Sequence, residues 1–161
     1  SSCCRRRDVE GLYSDVTAGL FQPQDTSGKD FLRAYQVTNE SGLVTFKTIY
    51  PGWYGTRTIH IHFKIRIAGG GTSNYDFTSQ LYFDEEINNE VMELGPYNSR
   101  GARTVRNMND QVFNGTGPGA GADDTPPPNG IAPGASTTVT LTPLASGKGY
   151  SAALKIGVMM G

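Results

Sequence analysis

Residues 51–63 read PGWYGTRTIHIHF, and the rest of the chain is best approached from there. The stretch holds both histidines of the protein and its single tryptophan. From Thr58 onward the residues alternate, with Thr58, His60, His62, Lys64 and Arg66 on one face and Ile59, Ile61, Phe63, Ile65 and Ile67 on the other. A period of two predicts a half-buried strand over residues 58–67. At a rise of about 3.4 Å per residue, side chains two apart stand about 7 Å from each other at the backbone and point the same way. Two imidazoles so placed either lean onto one metal ion or stand as polar residues on a solvated face.

The turn that delivers this strand, Pro51-Gly52-Trp53-Tyr54, combines a rigid residue with a flexible one and suits a tight bend that fixes where Tyr54 points. Arg57 lies just ahead of the alternating run, close enough to reach the same place. A tyrosine, an arginine and two histidines can therefore converge.

Outward from this stretch the chain reads as short strands and turns. Residues 31–38 and 43–50 form strands joined by a turn at 39–42. Residues 76–83 form another, with Gln80 and Tyr82 opposite Leu81 and Phe83, so that Gln80 can face the histidines. Residues 84–89 are an acidic turn of helical character, and strands are expected at 136–144 and 150–158. Residues 21–30 and 68–74 are loops, and 115–134, dominated by Gly, Ala and Pro, is a long Gly/Pro-rich loop. With 161 residues, 21 glycines and 9 prolines, one domain spanning 1–161 with an all-β sandwich or barrel fits better than a helical bundle.

Composition removes several classes of function. Lys and Arg number 14 against 15 Asp and Glu, a formal net charge of -1, which gives no general attraction to nucleic acid. The one basic cluster, Arg5-Arg6-Arg7, reads as a solvated chain end. No apolar run is long enough to span a bilayer, so no membrane partner is expected. The opening SSCCRRRD lacks the basic start and apolar core of a signal peptide. Cys3 and Cys4 are adjacent, and a bridge between them would be strained and staple nothing. Asn39-Glu40-Ser41 and Asn114-Gly115-Thr116 match the glycosylation sequon.

The pattern P-G-x-Y-x-x-R-x-x-H-I-H-F resembles the iron-binding signature of intradiol aromatic ring-cleavage dioxygenases, in particular their small secreted members. GLYSD at 11–15, TSQLYF at 78–83, PYN at 96–98 and NMND at 107–110 resemble further segments of that family. The resemblance covers roughly residues 9–113. Residues 1–8 depart from it and show no usable periodicity, so that the family's first strands are missing and an uncovered edge or face is expected. The resemblance implies a mixed-topology β-sandwich, an extracellular location and one non-haem Fe(III). It implies that Tyr13 and His62 are equatorial ligands and Tyr54 and His60 axial ones, with Tyr54 leaving and taking a proton when substrate binds. Arg57 corresponds to the residue that stabilises carbanion character in the ring, and Gln80 to one that hydrogen-bonds within the pocket. The partners implied are a small aromatic diol and O2; oligomeric state is left open.

The donor types agree with that chemistry. Ferric iron is a hard ion that favours anionic oxygen, and a trivalent cation makes the phenolate the favoured form of a tyrosine whose ordinary pKa is about 10. A cupin or a three-histidine zinc hydrolase needs a third histidine, which the chain lacks. A two-histidine, one-carboxylate iron site would need an acid near the strand, and only folding could bring Asp15 there. The reading from another class is a catalytically inactive sandwich that binds an extracellular glycan or aromatic polymer. Colour separates the two, since tyrosinate-to-iron charge transfer makes a loaded enzyme red-brown.

Overall fold

The computed structural model of the chain describes residues 2–20, 22–67, 75–116 and 132–157. Strand β3 (His60–Ile67) is the alternating run, beginning two residues later than its pattern does. Its β-branched isoleucines suit a pleated, buried surface. It lies at the centre of a five-stranded sheet whose other members are β1 (Ser2–Arg5), β2 (Arg33–Gln36), β4 (Tyr75–Phe83) and β5 (Thr138–Val139), in the order β2-β1-β3-β4-β5. Neighbours run antiparallel except β4 and β5, which are parallel. A second, antiparallel pair joins β6 (Thr142–Pro143) to β7 (Tyr150–Ser151). The fold is therefore all-β and mixed in topology, as expected, with a short helix α1 (Glu85–Met92) after β4.

The apolar side of β3 builds the core. Ile59, Ile61 and Phe63 join Cys4, Phe83, Val91, Met92 and Val139 in one buried cluster, and Phe46, Tyr50, Leu141 and Tyr150 pack against it from outside the five-stranded sheet. Burial of one large aliphatic side chain is worth about 1.5–3 kcal/mol, so this row anchors the sheet's centre. The opposite side of β3 departs from the half-buried expectation. Thr58 is 1% and His60 3% exposed, whereas Arg66 at the far end faces solvent. Polar groups buried on both faces of a strand require partners, and those partners make up the site.

Residues 1–8, unreadable by period, supply β1, an inner strand with Arg5 opposite His62 on one side and Arg33 on the other. Main-chain pairing accepts any extended segment, whatever its side chains. The expectation of a solvated Arg5-Arg6-Arg7 run is overturned with it: Arg6 and Arg7 are each 4% exposed. Leaving the end of an inner strand, the chain carries these residues into the interior.

Other strands shrink. The one expected at 31–38 is reduced to Arg33–Gln36. Residues 43–50 form no strand, because the Gln36 side chain takes the ladder's place, donating to the Thr45 carbonyl at 2.6 Å and accepting from the Thr45 N–H at 3.2 Å. The strand expected at 136–144 opens as a 3-10 turn, Pro133–Thr137, and breaks into β5 and β6. Of the strand expected at 150–158, Tyr150–Ser151 is extended and paired. Loop 68–74 and most of the Gly/Pro-rich loop, 117–131, lie outside the described residues.

Candidate metal centre

Two backbone turns and one strand bring the candidate residues together. The segment carrying Tyr13 and the turn carrying Tyr54 touch main chain to main chain: Gly52 N–H donates to the Asp8 carbonyl at 2.9 Å. A Cβ at Gly52 would lie 2.8 Å from the Gly11 nitrogen and closer still to the Asp8 and Val9 carbonyl oxygens. Gly11, with φ of 75°, would drive a Cβ into the Trp53 carbonyl. Only glycine at both positions permits this approach.

Tyr13 is held by its own backbone. Its N–H donates to Gln22 Oε1 at 2.7 Å, and its carbonyl accepts from Gln22 Nε2 at 3.1 Å and Thr26 Oγ1 at 2.6 Å. Gln22 and Thr26 are both buried. This clamp was not legible in the sequence, since nothing in a polar loop announces which glutamine turns inward.

The donors meet on the polar side of β3. Tyr13 Oη lies 3.2 Å from His60 Nε2, and His60 Nε2 lies 3.2 Å from His62 Nε2. His60 Nδ1 donates to the Thr58 carbonyl at 2.7 Å, which leaves the lone pair on Nε2, facing Tyr13 and His62. Donors 3.2 Å apart suit one ion with bonds of about 2.1 Å at an angle of about 100°. Among the described residues no group of three or more His, Cys, Asp or Glu side chains gathers at one place. A metal here therefore needs tyrosine, and the oxygen-plus-imidazole set present fits a hard cation.

Tyr54 reaches the same place by a different route. A bridge between Tyr54 and Arg57 turns both side chains inward, and the Tyr54 ring stands 6.0 Å from that of His60. The Arg7 guanidinium carbon lies 3.2 Å from the centre of the Tyr54 ring, and the charges of Arg57 and Arg7 favour its phenolate against burial. Three of the four expected ligands thus converge atom to atom, while the fourth borders them and is engaged by arginines.

Arg57 is fixed on three sides. Nε donates to Asp110 Oδ2 at 2.8 Å, and one Nη donates to Gln80 Oε1 at 2.5 Å and to the Tyr82 hydroxyl oxygen at 3.4 Å. Gln80 sits opposite His62 across the β3–β4 ladder, and its Oε1 also accepts from Tyr82 Oη at 2.8 Å. Asp110, with no exposed surface, binds the Thr58 N–H at 2.7 Å through the same Oδ2. Its Oδ1 caps the Val112 and Phe113 N–H groups at 2.9 Å. Asn107 accepts from Thr58 Oγ1 at 2.6 Å and donates to the Phe83 carbonyl at 2.8 Å. The supporting roles of Asp110, Asn107, Thr58 and Tyr82 were not assigned from sequence. Parity along the strands could have found Thr58 and Tyr82, whereas Asp110 lies 52 residues from Thr58.

Electrostatics keep both imidazoles neutral, the form that ligates metal. Burial pushes His60 well below its ordinary value, and the neighbouring His62 and Arg57 add to the effect. His62 falls to about 4, through burial first and then the charges of Arg57, Arg5 and Arg7. Burial raises the Tyr13 hydroxyl to about 12, with Arg7 pulling against it, and raises Tyr54 as well. Without a cation both phenols keep their protons; a trivalent ion reverses that preference.

A β-sheet carrying a buried tyrosine–histidine–histidine cluster, with a fixed guanidinium beside it, defines a candidate metal centre of the intradiol type. Solved structures agree. An intradiol ring-cleavage dioxygenase from Tetranychus urticae is 26% identical with a TM-score of 0.70, over 94% of this chain and 66% of that one. A structure described as a dioxygenase is 28% identical with a TM-score of 0.67, over 95% of this chain and 67% of that one. The chain spans about two thirds of the length of the structures it matches. No family model matches it, and no curated protein does. The resemblance carried by PGWYGTRTIHIHF is borne out: this chain has the fold of intradiol ring-cleavage dioxygenases.

Proposed function

We propose that the chain is a non-haem Fe(III)-dependent intradiol dioxygenase that opens a catechol-type ring with O2, breaking the bond between the two hydroxylated carbons to give a muconate-type diacid. One observation carries the reading: the oxygen of Tyr13 and the Nε2 atoms of His60 and His62 meet with 3.2 Å spacings on the buried polar side of a central strand. Tyr13, Tyr54, His60 and His62 would hold the iron. Bound there, a ferric ion supplies a Lewis acid for the two substrate oxygens and draws electron density from the ring.

The remaining roles belong to the chain itself. Thr58 sets the tautomer of His60 through its carbonyl. Tyr54 lines a cleft of about 430 Å³ together with Leu12, Leu20, Gly55 and Thr56, through which an aromatic diol enters. Tyr54 Oη is the atom that takes up a substrate proton. Arg57, immobilised by Asp110 and Gln80, aims fixed donors at negative charge developing on the ring, where a preorganised donor counts for most. Secretion belongs to the proposal and is checked by finding the protein outside the cells that make it.

The test is reconstitution of the purified chain with ferric salt. One iron per chain, a red-brown absorbance and O2 uptake on a panel of catechols, each yielding a ring-opened product heavier by one O2, are expected. A colourless protein that consumes no O2 with any of them overturns the reading and leaves the non-enzymatic binding module.

A further inference from the structure

We propose that Arg7 is an internal cation that competes with the metal for the two tyrosines, so that the chain takes up ferric ion less tightly than its ligand set alone would allow. The inference rests on the metal reading above and concerns a residue outside the expected ligand set. Arg7 is 4% exposed. Its guanidinium carbon lies 4.1 Å from the centre of the Tyr13 ring and 3.2 Å from that of Tyr54, so the cation is wedged between the two phenols. One Nη donates to the Gly11 carbonyl, while Nε is buried without a partner.

A cation over an aromatic face is attracted by the ring's quadrupole, most strongly when desolvated. That attraction belongs to the same two side chains that would ligate iron. Burial opposes the charge of Arg7, and what supports it is chiefly Tyr13 and Tyr54. Arg5, 4.6 Å from the Tyr13 ring, and Arg57 place two further guanidiniums around the cluster. Loading a trivalent ion while two phenols release their protons adds one net positive charge to this surrounding. The Arg7 guanidinium lies against the Tyr54 ring, which stands 6.0 Å from that of His60, so a cation already borders the place the metal would take.

Ferric uptake from a soluble ferric chelate is titrated into the wild-type chain and into Arg7→Gln, Arg7→Met and Arg7→Lys, reading bound iron after desalting and the visible charge-transfer band. The Gln and Met variants should bind about tenfold tighter, the scale of one close buried charge contact, and absorb more strongly per iron, while Lys stays near wild type. In the wild type, gallium(III), a diamagnetic stand-in, should shift the Arg7 Nε–H resonance and speed its exchange with solvent. Equal or weaker uptake by both neutral variants overturns the proposal, as does an Arg7 resonance unmoved by bound gallium. Equal uptake by every form leaves the metal reading standing, whereas no uptake by any form removes both.

Discussion

At the scale of single residues, Arg57 and the paired histidines yield the clearest expectations. Lysine at position 57 keeps a positive charge but loses the planar fork that grips Asp110 and Gln80 together. In the iron-loaded chain Arg57→Lys should lower the kcat of the proposed ring opening by about a hundredfold while iron content is unchanged, the cost typical of a lost transition-state donor. Unaltered kcat would remove Arg57 from the chemistry. The histidines set the response of the metal-free chain to acid. Unfolded histidine takes up a proton near pH 6.5, but folded His62 resists until about 4, and burial holds His60 well below its ordinary value. Their contribution to stability is therefore complete above about pH 6.5 and is lost as pH falls toward 4. The urea midpoint should be level at neutral pH and decline between about pH 6.5 and 5; a flat profile there would contradict the buried neutral pair. The sequence exposed these residues because alternation fixes which side chains share a strand face. It hid Asp110 and Gln22, which reach the site through loops whose course no local pattern records.

At the scale of elements, the site depends on two glycine-mediated contacts between turns. Gly52→Ala would force a Cβ against the Asp8 and Val9 carbonyls, so the turn bearing Tyr54 must separate from the segment bearing Tyr13. A fall in stability of on the order of 3 kcal/mol is expected by thermal or urea unfolding, the range of severe steric substitutions. Gly55→Ala, which meets nothing within 4 Å, serves as the control and should leave stability near wild type. Similar melting of the two variants would show that the close approach is not required. Elements were legible where period and length agreed, as in β3 and β4. They were misjudged where side chains replaced the ladder, as Gln36 does for residues 43–50, or where pairing partners recruited a strand, as β2 and β3 do for β1.

At the scale of the whole molecule, the four expected donors come from three separate stretches: the segment after β1, the turn before β3, and β3 itself. An ion that joined them would cross-link parts of the chain that the unfolded state leaves independent. Ferric loading should therefore raise Tm, increasingly with free metal concentration, by the mass action of a ligand that binds only the folded form. Tyr13→Phe should abolish most of that increase without unfolding the metal-free chain, since the Gln22 and Thr26 clamp acts on the Tyr13 backbone. A Tm indifferent to ferric ion would speak against joint ligation. The all-β class was legible from composition and turn density, whereas the position of β1 was not, because sheet order depends on contacts between residues far apart in sequence.

Asp110 ties two movements into one. The same carboxylate oxygen that steadies the guanidinium of Arg57 also fastens the main chain at Thr58, two residues ahead of β3. Any displacement of residues 107–113 would thus tilt the arginine and loosen the approach to the strand together, so that a lesion some fifty positions along the chain would be felt at the candidate metal centre as a fault in alignment.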